Sequence, residues 1–118
     1  MTHEALEKYC LSKLGAVKAY PFDIYVSLYK VDGKMLAPNK DKQEPLQVNL
    51  KCDPLYALEL RSVYPSVIPG YHMNKRHWNT VVCDGNVDDA TVESWIDDSY
   101  ELVFSSLSKK EQVEILKL

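Results

Sequence analysis

Glycine is scarce in this chain, four in 118 residues, and none of the four lies in a phosphate-cradling loop or beside a nucleophilic serine. That scarcity excludes the Gly-rich nucleotide loops and the Gly-x-Ser-x-Gly hydrolases. Cysteine is scarce too. Cys10, Cys52 and Cys83 form no close pair, and an odd count in a chain that does not read as secreted argues against a disulfide framework. They read as small buried hydrophobes. No apolar run approaches the roughly 18 residues a membrane span needs. Met1-Thr2-His3-Glu4 lacks the basic and apolar regions of a secretory signal, so the expected location is the cytoplasm, with no membrane partner. Repeats and low-complexity linkers are missing as well. What remains, 46% hydrophobic and 26% charged, is the composition of one folded domain over residues 1–118.

The formal net charge is −3, but the signs are unevenly placed. Residues 1–82 hold eleven Lys and Arg against eight Asp and Glu; residues 83–118 hold three against nine. A polyanion would have to approach the first part and avoid the second, because exposed like charges repel within a Debye length of about 8–10 Å.

Along the chain, Thr2 caps a first helix with Leu6, Tyr9, Cys10 and Leu14 near helical spacing and Gly15 as its stop. A strand over 24–31 sets Ile24, Val26 and Leu28 on one face and Tyr25, Ser27 and Tyr29 on the other. Asp32-Gly33 turns it into a return strand over 34–37. Residues 38–45, polar and bounded by prolines, read as an exposed loop or hairpin tip. A strand over 46–51 points Leu46, Val48 and Leu50 inward. Asp53-Pro54 then opens a second helix to about Val63. After Pro69-Gly70, two short extended pieces with a turn at Asn74-Lys75 lead to Asp84-Gly85-Asn86. A third helix follows Asp88 or Asp89, with Val92, Ile96, Ser99, Val103 and Leu107 on one stripe and Trp95 and Leu102 beside it. Ser108 and Glu111 have capping-box spacing and open a short terminal helix. The order α-β(3)-α-β(2)-α predicts an α+β fold in two layers, an antiparallel sheet with helices on one face.

The densest stretch is 69–81, Pro-Gly-Tyr-His-Met-Asn-Lys-Arg-His-Trp-Asn-Thr-Val. It gathers a basic pair, two of the three histidines and two aromatic rings. Tyr71-His72-Met73-Asn74-Lys75 with His77-Trp78 and Val81 resembles the signature of the bacterial MmcQ/YjbR family. Tyr9-Cys10, the hairpin 30–34, Val48-Asn49-Leu50-Lys51-Cys52 and Ser99-Tyr100-Glu101-Leu102-Val103 fit the same family in order, so the resemblance covers nearly the whole chain. Members are labelled DNA-binding proteins with a "double wing" motif. The resemblance implies a two-layer arrangement similar to secretion-chaperone-like and frataxin-like (CyaY-like) folds.

Three chemistries were weighed. His72 and His77, with His3 or Asp84 as a third ligand, are spaced five apart with no Cys or carboxylate at ligand spacing beside them, so no metal is expected. Frataxin-type iron binding would need an acidic first helix, which here offers only Glu4 and Glu7. Nothing forms a nucleophile, base and orienter set, and the acidic run from Asp84 to Glu101 reads as a solvated helix face; no catalytic residue and no cofactor are expected. DNA binding, non-enzymatic, is the reading the resemblance favours. Lys75 and Arg76 would touch phosphate, Asn74 or His77 would reach a base edge, and Tyr71 would stack. Lys30 and Lys34 around Asp32-Gly33, and Lys40 and Lys42 in the next loop, would form the wings. Trp78, Met73 and Val81 would anchor the sheet to the helices. Two to four phosphate contacts imply weak, salt-sensitive binding, with a log-affinity versus log-salt slope of roughly −2 to −4. The alternative is a protein- or peptide-binding, chaperone-like module, or a homodimer, using a bare sheet face with Tyr25, Tyr29, Gln47 and Asn49.

Overall fold

Four side chains decide where the helices begin. Thr2 accepts from the Ala5 N–H, Asp53 from those of Leu55 and Tyr56, Asp88 from that of Thr91, and Ser108 exchanges bonds with Glu111 in a full capping box. The resulting helices are α1 (His3–Leu11), α2 (Pro54–Val63), α3 (Asp89–Ser105) and α4 (Lys109–Leu116). The computed structural model describes residues 1–19, 26–71 and 73–118, with backbone alone at 26–28. Ile24, Tyr25 and His72, and the inward placing of Val26 and Leu28, therefore lie outside what is described. Among the described residues no helix is long and apolar enough to cross a membrane.

The strands are β1 (Ala16–Ala19), β2 (Val26–Val31), β3 (Lys34–Met35), β4 (Asn39–Lys40), β5 (Leu46–Lys51), β6 (Val67–Pro69) and β7 (Trp78–Cys83). They form one antiparallel sheet in the order β1-β2-β4-β5-β7-β6, with β3 also on β2. The fold is thus α+β with two layers. Two strand readings needed correction. Residues 16–19 were given no element, yet they form an edge strand; Gly15, at φ +77, reverses the chain into it and packs against Ile115 of α4. The segment 38–45 is not wholly an exposed loop: Pro38 breaks the return strand, but Asn39 is buried and continues it as β4 between β2 and β5.

Register divides the sheet cleanly into two faces. Leu46, Val48 and Leu50 pair with Cys83, Val81 and Asn79 on one face, and Tyr29 and Val31 join them at β2. Against this face pack Leu6 and Cys10 of α1, Ala57 and Leu60 of α2, Val92, Trp95, Ile96 and Val103 of α3, and Ile115 of α4. Tyr29, expected on the opposite face, is therefore core. Leu102, placed beside the α3 stripe, lies at the surface, and Leu14 falls beyond the end of α1 and is exposed.

Burial pushes the Cys10 thiol up to about 12 from its usual 9.0. Because the folded value is raised, this thiol supports folding fully below its unfolded value, and that support is lost as pH climbs from there toward 12. Cys10→Ala is accordingly expected to flatten the alkaline arm of a thermal-midpoint versus pH profile above pH about 9. An unchanged arm would mean that other groups govern alkaline unfolding.

Candidate nucleic-acid interface

Among the described residues the second face of the sheet carries no helix, and its composition follows from which strand residues alternate outward. Gln47, Asn49 and Lys51 of β5 stand beside Val82, Thr80 and Trp78 of β7, and Ile68 of β6 flanks Thr80. Lys40 of β4 and Lys30 of β2 belong to the same face. The described strands contain no Asp or Glu at all. Of their five lysines, Lys18 and Lys34 turn to the helix side and are bonded there, to Glu7 at 2.9 Å and to the Ser106 carbonyl and hydroxyl at 3.3 and 3.2 Å. Lys30, Lys40 and Lys51 are left to the open side.

Residues 70–71 and 73–77 fold back onto this face in turns. The first extended piece of the focal stretch lies earlier than expected, at 67–69. A relay of side chains holds the returning chain down: the Tyr71 N–H donates to Thr80 Oγ1 (2.9 Å), that hydroxyl donates to Asn49 Oδ1 (2.6 Å), and the Asn49 amide donates to the Pro38 carbonyl (3.2 Å). The Gly70 N–H donates to the Trp78 carbonyl at 2.9 Å. From the helix side, Arg61 of α2 reaches round the sheet end: Nε donates to Asn79 Oδ1 (2.6 Å), and the guanidinium also donates to the carbonyls of Lys75 and Trp78. Three elements thus converge on one turn. A planar fork with several fixed donors suits that position. Arg61 was not among the expected site residues, because an arginine in the last turn of a helix already has an ordinary role beside exposed carbonyls.

The expected site residues divide as follows. Tyr71 is 56% exposed, with the Lys40 ammonium 5.8 Å from its ring centroid. Lys75 and Arg76 are exposed at the turn; the Lys75 ammonium caps the Gly70 carbonyl at 3.2 Å, and neither is in an ion pair among the described residues. His77 is half-buried, its backbone carbonyl accepting from the Cys52 N–H. Asn74 is turned inward on its own loop: Oδ1 accepts from the Arg76 N–H at 2.9 Å, an Asx-type turn in place of a base-edge reader. Trp78 stays at the base of the turn but on the face away from the helices and outside the apolar core, so it seats the turn and does not tie sheet to helices. Lys30 belongs to the open face. Lys34 does not: its ammonium donates to the Ser106 carbonyl and hydroxyl, so the 30–34 hairpin lies against the α3–α4 corner, where the neighbouring Glu111 carboxyl raises that of Asp32. It is no protruding wing. Lys51 was missed, since a lysine closing an alternating strand reads as generic solvent exposure.

The remaining clusters belong to the scaffold. His3 Nε2 lies 2.6 Å from the Gln43 carbonyl, and the Asp84 carboxylate accepts from Ser66 and the Asn86 N–H, which hold it below its usual range. Among the described residues, no three His, Cys, Asp or Glu side chains gather as a metal would require. On α3, Asp97 accepts from the Tyr9 hydroxyl at 2.7 Å and pairs with Lys13, and Asp89 pairs with the amino terminus at 2.9 Å. The acidic helix is thus on the far side of the sheet from the open face.

These features recur in known proteins. The sequence model of the YjbR family matches residues 11–102. The chain is 32% identical over 113 residues to the uncharacterised protein YbdF of Escherichia coli O157:H7, covering 96% of this chain and 93% of that one. It is 31% identical over the full length of both chains to the uncharacterised protein YjbR of Escherichia coli K12. The crystal structure of Deinococcus radiodurans protein DR2400, which has a DUF419 domain, superposes with a TM-score of 0.91 at 35% identity, over 97% of this chain and 87% of that one. A Pseudomonas syringae protein shares the fold at a TM-score of 0.76 and 24% identity, over 87% of this chain and 99% of that one. The family-model match over most of the chain and these identities lead to one conclusion: this chain belongs to the YjbR family.

Proposed function

We propose that this protein is a non-enzymatic, cytoplasmic DNA-binding domain whose contact surface is the open sheet face together with the basic turn at 74–76. The observation that carries the reading is the separation of charge: Lys30, Lys40 and Lys51 on a face whose described strands hold no carboxylate, with Lys75 and Arg76 at its rim. The net charge of −3 does not oppose this, because the acidic α3 packs behind β5, a full layer away. A layer spacing of about 10 Å is near one Debye length at physiological salt, so much of the repulsion is screened.

The peptide-binding alternative loses one of its two tyrosine anchors, since Tyr29 is 2% exposed, while Tyr25 lies outside the described residues. Gln47 and Asn49 do remain on the open face, and Asn49 is committed to the relay that seats the turn.

Anisotropy of labelled duplex and single-stranded DNA against salt tests the reading. Two to four phosphate contacts give a slope of roughly −2 to −4, and Lys75→Glu/Arg76→Glu should reduce its magnitude by about 2. Salt-insensitive binding, or a double variant that binds like the parent, would remove the turn from the contact surface.

A further inference from the structure

Resting on that DNA-binding reading, we propose that the ligand is a single strand, laid across the open face with a base against Tyr71, and not a duplex.

A duplex is read by inserting a helix or a two-stranded ribbon into its major groove, about 12 Å wide. All four helices here cover the opposite face. The β2–β3 hairpin has a two-residue tip, and Lys34 beside that tip is bonded to Ser106 at the α3–α4 corner. Among the described residues the basic side offers no helix, and the β2–β3 ribbon is turned away from it.

What the face does offer is the combination that single strands use: cations that follow the backbone, an aromatic ring for stacking, and amides and hydroxyls between them. Six strands in series at about 4.8 Å make it roughly 24 Å wide. Lys30, Lys40 and Lys51 occupy three successive strands of this row, β2, β4 and β5. Tyr71 stands on the returning turn, its backbone N–H tied through Thr80 to Asn49, so the turn that carries the ring is seated before a ligand arrives. Ile68, 40% exposed on the edge strand, adds apolar surface for a neighbouring base. Preorganisation of this kind reduces the ordering that binding must impose.

Fluorescence anisotropy with the full chain decides the matter, using oligo-dT of about 15 nucleotides, a duplex of equal length and oligo-U. Oligo-dT should bind about 10-fold or more tighter than the duplex, and Tyr71→Leu should weaken oligo-dT binding by about 5- to 100-fold while leaving duplex binding unchanged. Lys40→Glu, at an exposed position, is the second variant and should also lower the salt slope for oligo-dT by about 0.7. A duplex that binds as tightly as oligo-dT, or oligo-dT binding untouched by both variants, overturns the single-strand assignment while leaving DNA binding in place. Tighter binding of oligo-U overturns the choice of DNA. Absence of salt-sensitive binding to any of the three overturns the functional reading and this inference together.

Discussion

Ser99→Ala is expected to lower stability by about 2–4 kcal/mol, although it removes a single oxygen. Ser99 is fully buried on α3, and its hydroxyl joins two strands: it donates to the Leu36 carbonyl at 2.8 Å and accepts from the Lys51 N–H at 3.0 Å. Leu36 lies where Pro38 interrupts the return strand, so the ladder between β4 and β5 is short, with Asn39 and Val48 as its one register pair. The hydroxyl serves in place of the missing ladder bonds. Alanine leaves a buried donor and a buried acceptor unsatisfied, at about 1–3 kcal/mol each. In a chain of this size that corresponds to a fall in Tm of roughly 10 °C or more. Urea unfolding of Ser99→Ala beside Ser105→Ala, an exposed serine of the same helix, checks it; the control should stay within about 0.5 kcal/mol. A loss below about 1 kcal/mol would mean that the two backbone groups find other partners.

The second large effect is expected at Gly70. A Cβ there would sit 2.8 Å from Trp78 Cβ, 2.9 Å from the Trp78 carbonyl oxygen and 3.1 Å from Met73 Cβ. Backbone and Cβ atoms cannot swing aside as a side-chain tip can. Gly70→Ala should therefore push the turn off the sheet and destabilise by about 2–3 kcal/mol, the ordinary scale of overpacking. The lifted turn also carries Tyr71 and Lys75. DNA affinity measured below the lowered Tm should fall with it, whereas Ser99→Ala should affect stability far more than binding. Unchanged stability for Gly70→Ala would show that the turn and β7 can move apart without penalty.

Much of this architecture was legible because local chemistry and tertiary packing agree. Asp53-Pro54, Ser108 with Glu111, the α3 stripe and the alternation of Leu46, Val48 and Leu50 each have one interpretation. The misreadings fall where two interpretations compete. Around β2, apolar or aromatic residues occupy both parities, so alternation leaves the inward face undecided; the pairing of Val31 with Ala16 and of Lys18 with Tyr29 decides it. Residues 16–19 are too short and too rich in alanine to announce a strand, and pair only because β2 lies beside them. Lys34 looks like a wing lysine in a hairpin, yet its destination, Ser106, is 72 residues away in sequence. The site was legible at Tyr71, Lys75 and Arg76, where side chains unsuited to a core cluster. Arg61 and Lys51 depend on register and on the end of α2, which only the assembled sheet fixes.

The terminal helix α4 has a consequence for synthesis of the chain. It lies beyond the residues matched by the family model, yet Ile115 is 6% exposed, sits in the same apolar cluster as Leu6 and Cys10, and closes over Gly15. Until α4 has left the exit tunnel during synthesis, the corner of α1 and β1 has no cover. A nascent chain stalled near residue 105 would thus present the α1–β1 corner, made long before α4, to chaperones and proteases.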